Sequence, residues 1–477
     1  MMPLRSGGFV STLRCAMLRD DLIPSEERIF ARIEEVFAQG VRRPGYPADR
    51  WAEQYCEDRF RTLGLERVRA EPVELPYWDP KRAALTVVTS GGATIDVPCF
   101  PLPHAAPTAG LEAELVELRD DKPAAIAGTI ALCDVRLGRL PYDVLAQRAT
   151  WCFDPDGTFT GHAQVLPFGH GAQAVMEPAI EAGAVAFAGS LTDYPSGSHN
   201  YYVPYDALER PIPGVWISGG DGARLRELLA RGAVSAHLVV ESEQRSITCY
   251  NIVGELPGAD EELVIIGSHH DGPWASAVED GSGIALVLAQ AEYWSAVPRA
   301  DRPHRLVFLL NAGHMAGGAG VRAFIEAHRE ELERVVLELH LEHAANECVE
   351  SADGTLTPTG QPEARWWFTT QIAPLEDAVR NALEAEDLRR SFILPPNVFG
   401  PHPTTDGGPF HTAGVPLVNF LTAPFYLFDE QDTLDKIHRP SLVPVTRAAI
   451  RLVGATAAWS AAELRSANAT AAGQASA

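Results

Sequence analysis

The sequence predicts an α/β protein with a doubly wound, mostly parallel central sheet and a small β-rich domain inserted into it. Four apolar runs in the second half are nearly continuous, which is typical of strands buried on both faces, and helical segments alternate with them. Short strands separated by turn signals precede them, which indicates an insertion. The predicted core strands are 263–268, 305–312, 334–342 and 416–421, and the predicted core helices are 282–294, 320–328, 374–386 and 443–459.

These elements divide the chain into four parts. We expect N-terminal helices and the first strands of the core in 25–110, the inserted β-rich domain in 111–245, the α/β core in 246–463 and a disordered tail in 464–477. The tail is rich in Ala, Ser, Gly and Asn, a composition that gives little apolar surface to bury.

Composition narrows the classes of partner. The 477 residues include 63 acidic and 39 basic side chains, for a formal net charge of −24, so nucleic acids and anionic membranes are not expected to bind. The seven cysteines are scattered and contain no C-x-x-C pair, which argues against a disulfide framework and a cysteine zinc site. The sequence contains no run of about 20 apolar residues that could span a membrane. We therefore expect a cytoplasmic protein, although export stays open. A homo-oligomer is also left open.

Residues 263–283 carry the most chemistry. An apolar strand ends there in His269 and Asp271, and Glu279 and Asp280 follow just before Gly-Ser-Gly and a predicted amphipathic helix. Open α/β enzymes hold metals and substrates at the carboxyl ends of strands. Two positions apart on extended chain, Asp271 can sit behind the His269 imidazole and orient it. The segment predicts a metal site.

The chain resembles the co-catalytic zinc aminopeptidase family, which includes bacterial secreted aminopeptidases, glutamate carboxypeptidase II and the non-catalytic transferrin receptor. The resemblance rests on the N-I-V-G-E-L-P-G strand at 251–258, G-S-H-x-D at 267–271, the carboxylate before G-S-G at 281–283 and D-T-L-D-K-I at 432–437. It implies a zinc aminopeptidase-like core and a protease-associated domain as the insert.

Several positions depart from the pattern of that family. The bridging aspartate falls on Glu279, and the consecutive glutamates, one general base and one ligand, fall on Gly313 and His314. The next ligand, an aspartate, falls on Glu342, and the last, a histidine, falls on Phe428, which cannot bind a metal. Most replacements are still metal-binding side chains.

The resulting predicted metal set is His269, Glu279, His314 and Glu342. Two imidazoles with one or two carboxylates suit zinc first, with manganese or iron as alternatives. The lost terminal histidine favours one ion, although two ions held by substitute ligands stay open, and His402 lies near enough in sequence to replace that histidine.

With Gly313 in the base position, another group must move the proton. The candidate catalytic residues are Asp271, as the orienting partner of His269, and Asp280, His343 and His411, as substitutes for the base. His411 belongs to residues 404–416, which resemble the substrate-side loop of the family.

The leading hypothesis is a metal-dependent hydrolase that cleaves an amide or other C–N bond in a small molecule rather than in general peptides. The expected partner is a small-molecule amide or peptide substrate. The alternatives are a dinuclear zinc aminopeptidase, a non-catalytic binding protein on the same scaffold, and a non-haem iron enzyme.

Overall fold

The computed structural model describes residues 18–119, 126–169, 174–194, 197–351 and 355–467. The α-helices are α1 (Glu26–Phe37), α2 (Pro47–Thr62), α3 (Tyr142–Arg148), α4 (Glu177–Glu181), α5 (Gly219–Leu229), α6 (Gly283–Ala296), α7 (Ala319–Ala327), α8 (Ala373–Ala385), α9 (Gly407–Thr412) and α10 (Leu442–Ala455). The strands of the first half are β1 (Glu66–Thr89), β2 (Thr94–Val97), β3 (Phe100–Pro101), β4 (Thr108–Glu117), β5 (Ile130–Arg136), β6 (Arg139–Pro141), β7 (Trp151–Phe153), β8 (Ala163–Val165), β9 (Ala186–Thr192), β10 (Gly214–Ser218) and β11 (Val234–Leu256). Those of the second half are β12 (Leu263–His269), β13 (Arg305–Asn311), β14 (Val335–Leu341), β15 (Asn346–Glu350), β16 (Leu356–Pro362), β17 (Arg365–Thr369), β18 (Ser391–Leu394) and β19 (Leu417–Thr422).

The α/β prediction is confirmed. The strands of the core run in the order β11-β13-β12-β14-β19-β17-β18-β7. The central pairs β13/β12, β12/β14 and β14/β19 are parallel, and antiparallel strands lie towards the edges. Every residue of β12, β14 and β19 is buried, as near-continuous apolar runs predict for strands covered on both faces.

Two long strands join the insert to the core. β1 and β11 pair antiparallel from Glu66↔Glu255 to Thr89↔Val234, so the predicted boundary at 245/246 falls within a continuous strand. On the opposite edge, β7 of the insert pairs with β18 of the core. The insert therefore lies across the carboxyl edge of the core sheet, and its strands pair with core strands on both sides of that sheet.

Helix α6 corrects the prediction of an amphipathic helix. It is buried on almost all sides, from Gly283 through Ala291 and again at Tyr293 and Trp294. It packs against β12 on one side and against α1 and α10 on the others. Because helices cover its outer face, its side chains are apolar all round.

The beginning of the predicted tail is ordered. Residues 461–467 are helical, and Leu464 packs into the main core, whereas 468–477 lie outside the described residues. In the described part of the chain, no helix combines the length and apolar character needed to cross a membrane.

Candidate metal centre

The predicted metal residues lie at the carboxyl edge of neighbouring parallel strands. His269 is the last residue of β12, His314 follows β13 after a short turn, and Glu342 and His343 directly follow β14. Glu279 comes from the turn that precedes α6. Parallel pairing of β13, β12 and β14 brings these strand ends together although they are up to 74 residues apart in sequence.

Three of the four predicted ligands converge on one point. His269, Glu279 and His314 each offer a ligand atom within 4.8 Å of the other two. Glu279 Oε1 lies 3.4 Å from His269 Nε2 and 3.9 Å from His314 Nε2, and the two imidazole rings stack at 4.1 Å between centroids. Two imidazoles and a carboxylate are a ligand set suited to zinc.

The histidines are anchored through Nδ1, which leaves Nε2 facing the Glu279 carboxylate. His269 Nδ1 contacts the backbone oxygen of Asp271 at 3.0 Å, and His314 Nδ1 contacts Asp406 Oδ1 at 2.9 Å. His343 Nδ1 contacts the Thr422 carbonyl at 2.8 Å. If each Nδ1 donates, each Nε2 is an acceptor, which is how metal-ligating histidines are oriented.

Glu279 is positioned by the D-T-L-D segment. The backbone N–H groups of Val278 and Glu279 donate to the Asp432 carboxylate at 2.8 and 2.9 Å. The buried Arg42 guanidinium donates to the Ser276 and Glu279 carbonyls from the other side. The Asp432 landmark thus fixes the turn that carries Glu279.

Unsatisfied polar atoms show that the donor set fits a cation. Among the described residues, His269 Nε2 and Glu279 Oε1 are buried without a hydrogen-bond partner, whereas Glu279 Oε2 has the His343 imidazole beside it. Leaving buried polar and charged atoms unpaired costs several kcal/mol in total, so a bound divalent ion would stabilise this arrangement. A divalent metal fits the residues present.

Protonation affects the two stacked imidazoles in opposite ways. Burial and the neighbouring histidines lower the pKa of His269 well below its usual value, so this imidazole is neutral and available to a metal. Burial lowers the pKa of His314, but the Asp406 and Glu279 carboxylates raise it to about 10. A metal must therefore displace a proton from His314.

The turn after β13 disfavours a side chain at position 313. Gly313, Gly317 and Gly318 all have φ near +70°, and a Cβ on Gly313 would come within 2.7 Å of Leu75 Cδ2. A side chain at this position would be strained and would require Leu75 to move. The same turn places His314 over the cavity.

The predicted role of Asp271 needs correction. Its carboxylate does not orient His269, because Oδ1 lies 3.8 Å from His269 Nδ1 and the backbone oxygen holds the ring instead. The carboxylate accepts from the N–H groups of His314 and Met315 at 3.1 and 2.7 Å. Asp271 therefore orients the turn that carries the second imidazole, because β12 ends at His269 and the extended spacing does not continue.

Glu342 lies outside the group of three, although it lines the same cavity. It accepts from His340 Nε2 at 3.0 Å, and His340 Nδ1 lies 2.9 Å from Glu338. Burial raises the pKa of Glu342, but His340 and the other imidazoles bring it below the usual value. Glu342 is therefore an ionised carboxylate facing the cavity.

Two predicted catalytic residues lie beside Glu279. His343 Nε2 contacts Glu279 Oε2, and its pKa, lowered by burial, is raised to about 10 by Glu279 and Glu342. Asp280 accepts from Ser268 Oγ and from the Gly283 N–H, and Oδ2 lies 3.8 Å from His269 Nε2. Burial raises the pKa of Asp280 to about 7.

His411 and His402 are not brought into the cluster. His402 lines the outer part of the cavity, with Nδ1 2.6 Å from the Pro403 carbonyl, and His411 is not among the lining residues. Phe428 stacks on Tyr205 at 4.9 Å, and Tyr205 stacks on His314 at 5.5 Å. These aromatic rings form one wall of the cavity.

The cluster opens into a cavity of about 470 Å³ with mainly apolar walls. Trp366 lines it, whereas Trp274, Trp367 and Phe425 do not. Sequence reasoning missed Arg139, Phe168 and Tyr205, which the insert contributes, because loop residues show no periodicity that points to the site.

Residues 251–453 match the model of Peptidase family M28. Among curated proteins, Carboxypeptidase Q of Xenopus laevis is 23% identical over 383 residues, covering 74% of this chain and 71% of that protein. A "probable leucine aminopeptidase 2" of Aspergillus oryzae is 36% identical over 122 residues, but the match spans only 24% of this chain and 23% of the relative.

Solved structures share the fold. A Peptidase M28 precursor from Shewanella amazonensis has a TM-score of 0.68 at 22% identity and covers 90% of this chain and 93% of its own. A zinc aminopeptidase from Bacillus subtilis has a TM-score of 0.63 at 19% identity, with coverage of 91% and 95%. Together, the comparisons support Peptidase family M28 for residues 251–453 and, with it, a metal-dependent hydrolase.

Proposed function

We propose that this protein hydrolyses an amide bond in a short peptide or small molecule, with one divalent ion, zinc, held by His269, Glu279 and His314. The observation that carries the proposal is the convergence of these three side chains beside a cavity that Glu279 and His314 line. In the described structure, His269 Nε2 and Glu279 Oε1 are buried there without a hydrogen-bond partner. The family match and the zinc-aminopeptidase fold support it.

The ion, when bound, would polarise the scissile carbonyl and lower the pKa of a water. The chain supplies the orientation of the ligands. Asp406 holds His314, the Asp271 backbone holds His269, and Asp432 holds the turn of Glu279. Such partners typically account for about 10–100-fold in metal affinity or activity.

Proton transfer is assigned to Glu342. This carboxylate faces the cavity, is kept ionised by His340 and lies outside the group of three ligand atoms. It stands in for the glutamate that Gly313 replaces, and a positioned base contributes about 10²–10⁴ in rate. This assignment departs from the sequence prediction, in which Glu342 is a ligand.

The cationic His343 has a separate role. Its Nε2 reaches Glu279, and Nδ1 is fixed by the Thr422 carbonyl, so the imidazole presents a positive edge beside the ligands. We assign to it the stabilisation of negative charge that develops on the carbonyl oxygen.

A non-catalytic binding protein is the second candidate, because Gly313 and Phe428 replace a base and a ligand of the resembled family. The two candidates make different predictions for Glu342→Gln. As a base, Glu342 is required for turnover but not for zinc, so the variant should lose about 10²–10⁴-fold in kcat and keep its metal.

The test is hydrolysis of N-acyl amino acids and aminoacyl amides by the zinc-loaded protein, with elemental analysis of each variant. Glu347→Gln, an exchange outside the cavity, is the matched control. Zinc-loaded wild type that hydrolyses none of these substrates would favour the binding protein, and loss of zinc in Glu342→Gln would show that Glu342 is a ligand instead.

A further inference from the structure

Arg139 is a cation of the insert that lines the cavity of the metal centre. It lies on β6, its side chain is exposed, and in the described ranges no ion pair or hydrogen bond involves its guanidinium group. Two other arginines of the insert are paired: Arg136 contacts Asp193, and Arg226 contacts Glu117. In a chain with 63 acidic and 39 basic residues, an unpaired arginine at a cavity is available to a ligand.

The rest of the cavity wall defines what such a ligand must contain. Besides Arg139 and the metal-facing group, the cavity is lined by apolar side chains that include Leu140, Phe168, Trp366, Phe368 and Phe399. These side chains offer apolar surface and few hydrogen-bond partners. The volume of about 470 Å³ is within the range that small-molecule sites use. A matching ligand has an apolar body with one anionic group.

We propose that Arg139 binds a carboxylate of the substrate, so that the site accepts amides with a large apolar group and a free carboxylate, such as N-acyl derivatives of apolar amino acids. This inference rests on the proposed function and names the substrate class. A guanidinium group pairs with a carboxylate through two parallel N–H···O bonds, which an amide in the same place cannot match.

The insert thereby takes part in specificity. Arg139 belongs to a short strand that pairs with β8, whereas the metal-facing residues follow strands of the core. A substrate bound at both would span the two parts of the chain, with its scissile bond at the core and its carboxylate at the insert.

Binding of 3-phenylpropanoate and of 3-phenylpropanol, which contain no amide bond to be cleaved, is measured by titration calorimetry on zinc-loaded wild type and tests the inference. The carboxylate should bind about five- to tenfold more tightly, as expected for a partly solvated charge-assisted pair. Arg139→Ala should abolish this preference, and Arg139→Lys should keep part of it. Arg231→Ala, an exposed arginine paired with Glu227 on another face, should keep all of it.

Metal removal distinguishes Arg139 from the ion as the carboxylate site. With chelator-treated protein, the preference should persist, since Arg139 does not depend on the metal. A preference that survives in Arg139→Ala, or that disappears from the wild type with the metal, would overturn the inference, as would failure of both probes to bind. We expect the metal content and melting temperature of Arg139→Ala to be unchanged. A lost preference in this variant would then concern Arg139 alone and would not bear on the hydrolase proposal.

Discussion

Two adjacent histidines, His269 and His270, belong to two clusters of similar composition and different character. His269, Glu279 and His314 form one group of potential ligands, and Asp49, Glu53 and Cys249, next to His270, form another. Both groups are buried. The first opens into a cavity and has buried atoms without partners among the described residues, whereas the second does not line that cavity.

The second cluster is a satisfied hydrogen-bond network. His270 contacts Asp49 at 2.8 Å through Nδ1 and the Tyr250 carbonyl at 2.9 Å through Nε2. The other oxygen of Asp49 accepts from the Gly45 N–H, and Glu53 accepts from the Tyr250 N–H. Burial lowers the pKa of His270, but Asp49 raises it to about 9, so the imidazole is protonated at neutral pH. This cluster joins α2 to β11 and β12.

The difference teaches that ligand-type residues within reach of one another do not by themselves indicate a metal site. Polar atoms that lack protein partners and have access to a cavity separate the candidate centre from a structural network. Four predictions follow this distinction from the largest expected effect to the smallest.

Removing a ligand should abolish catalysis. In His269→Ala, kcat/KM for an amide substrate should fall about 10³-fold or more, because the ion supplies several kcal/mol of transition-state stabilisation. Steady-state kinetics at saturating zinc is the measurement. Full activity in this variant would place the reaction elsewhere in the molecule.

Breaking the structural network should lower stability and leave the metal in place. Asp49→Asn removes one partner of a buried ion pair, and we expect the free energy of unfolding to fall by about 3 kcal/mol in urea denaturation. Asp58→Asn, on the exposed side of α2, should change it by less than about 0.5 kcal/mol. A stable Asp49→Asn variant that loses zinc would reverse the assignment of the two clusters.

Weakening a support of His314 should have an intermediate effect. Asp406→Asn keeps the shape of the side chain and removes its charge, so zinc affinity should fall about 10–100-fold, as measured by competition with a chelator. Asp387→Asn, an exposed carboxylate outside the cavity, is the control. Equal affinity in both variants would mean that Asp406 does not orient the imidazole of a ligand.

His328 and Glu71 form a third histidine–carboxylate pair, which is only half-buried and therefore shows what such a pair contributes near the surface. The hydrogen bond with Glu71 raises the pKa of the half-buried His328, so this contribution is full below the unfolded pKa near 6.5 and is lost as pH rises through the folded pKa. His328→Gln should therefore cost up to about 1 kcal/mol at pH 6 and less at pH 9. A cost that grows with pH in thermal unfolding would contradict the ionic pairing.

The sequence predicts much of the core because its strands are apolar and its helices periodic. Strands β12, β13, β14 and β19 and helices α6, α7, α8 and α10 lie within a few residues of their predicted positions. The length of β1 and β11 is not predictable in the same way, since charged residues interrupt both strands and their pairing across about 170 residues sustains them.

The sequence predicts the ligands of the candidate site better than it predicts the residues that orient those ligands. The positions of the strand ends and the family resemblance together predict His269, Glu279 and His314 as metal ligands. The contact between His314 and Asp406 joins residues 92 positions apart, and the role of Asp271 depends on where β12 ends. Such contacts arise from tertiary packing, and no local pattern reports them.

Elemental analysis of protein purified without chelator tests the central claim most directly. We predict one zinc per chain in the wild type and in Asp49→Asn, and close to none in Glu279→Gln. Equal metal content in the wild type and Glu279→Gln, or metal that disappears only in Asp49→Asn, would contradict the assignment of the centre to His269, Glu279 and His314.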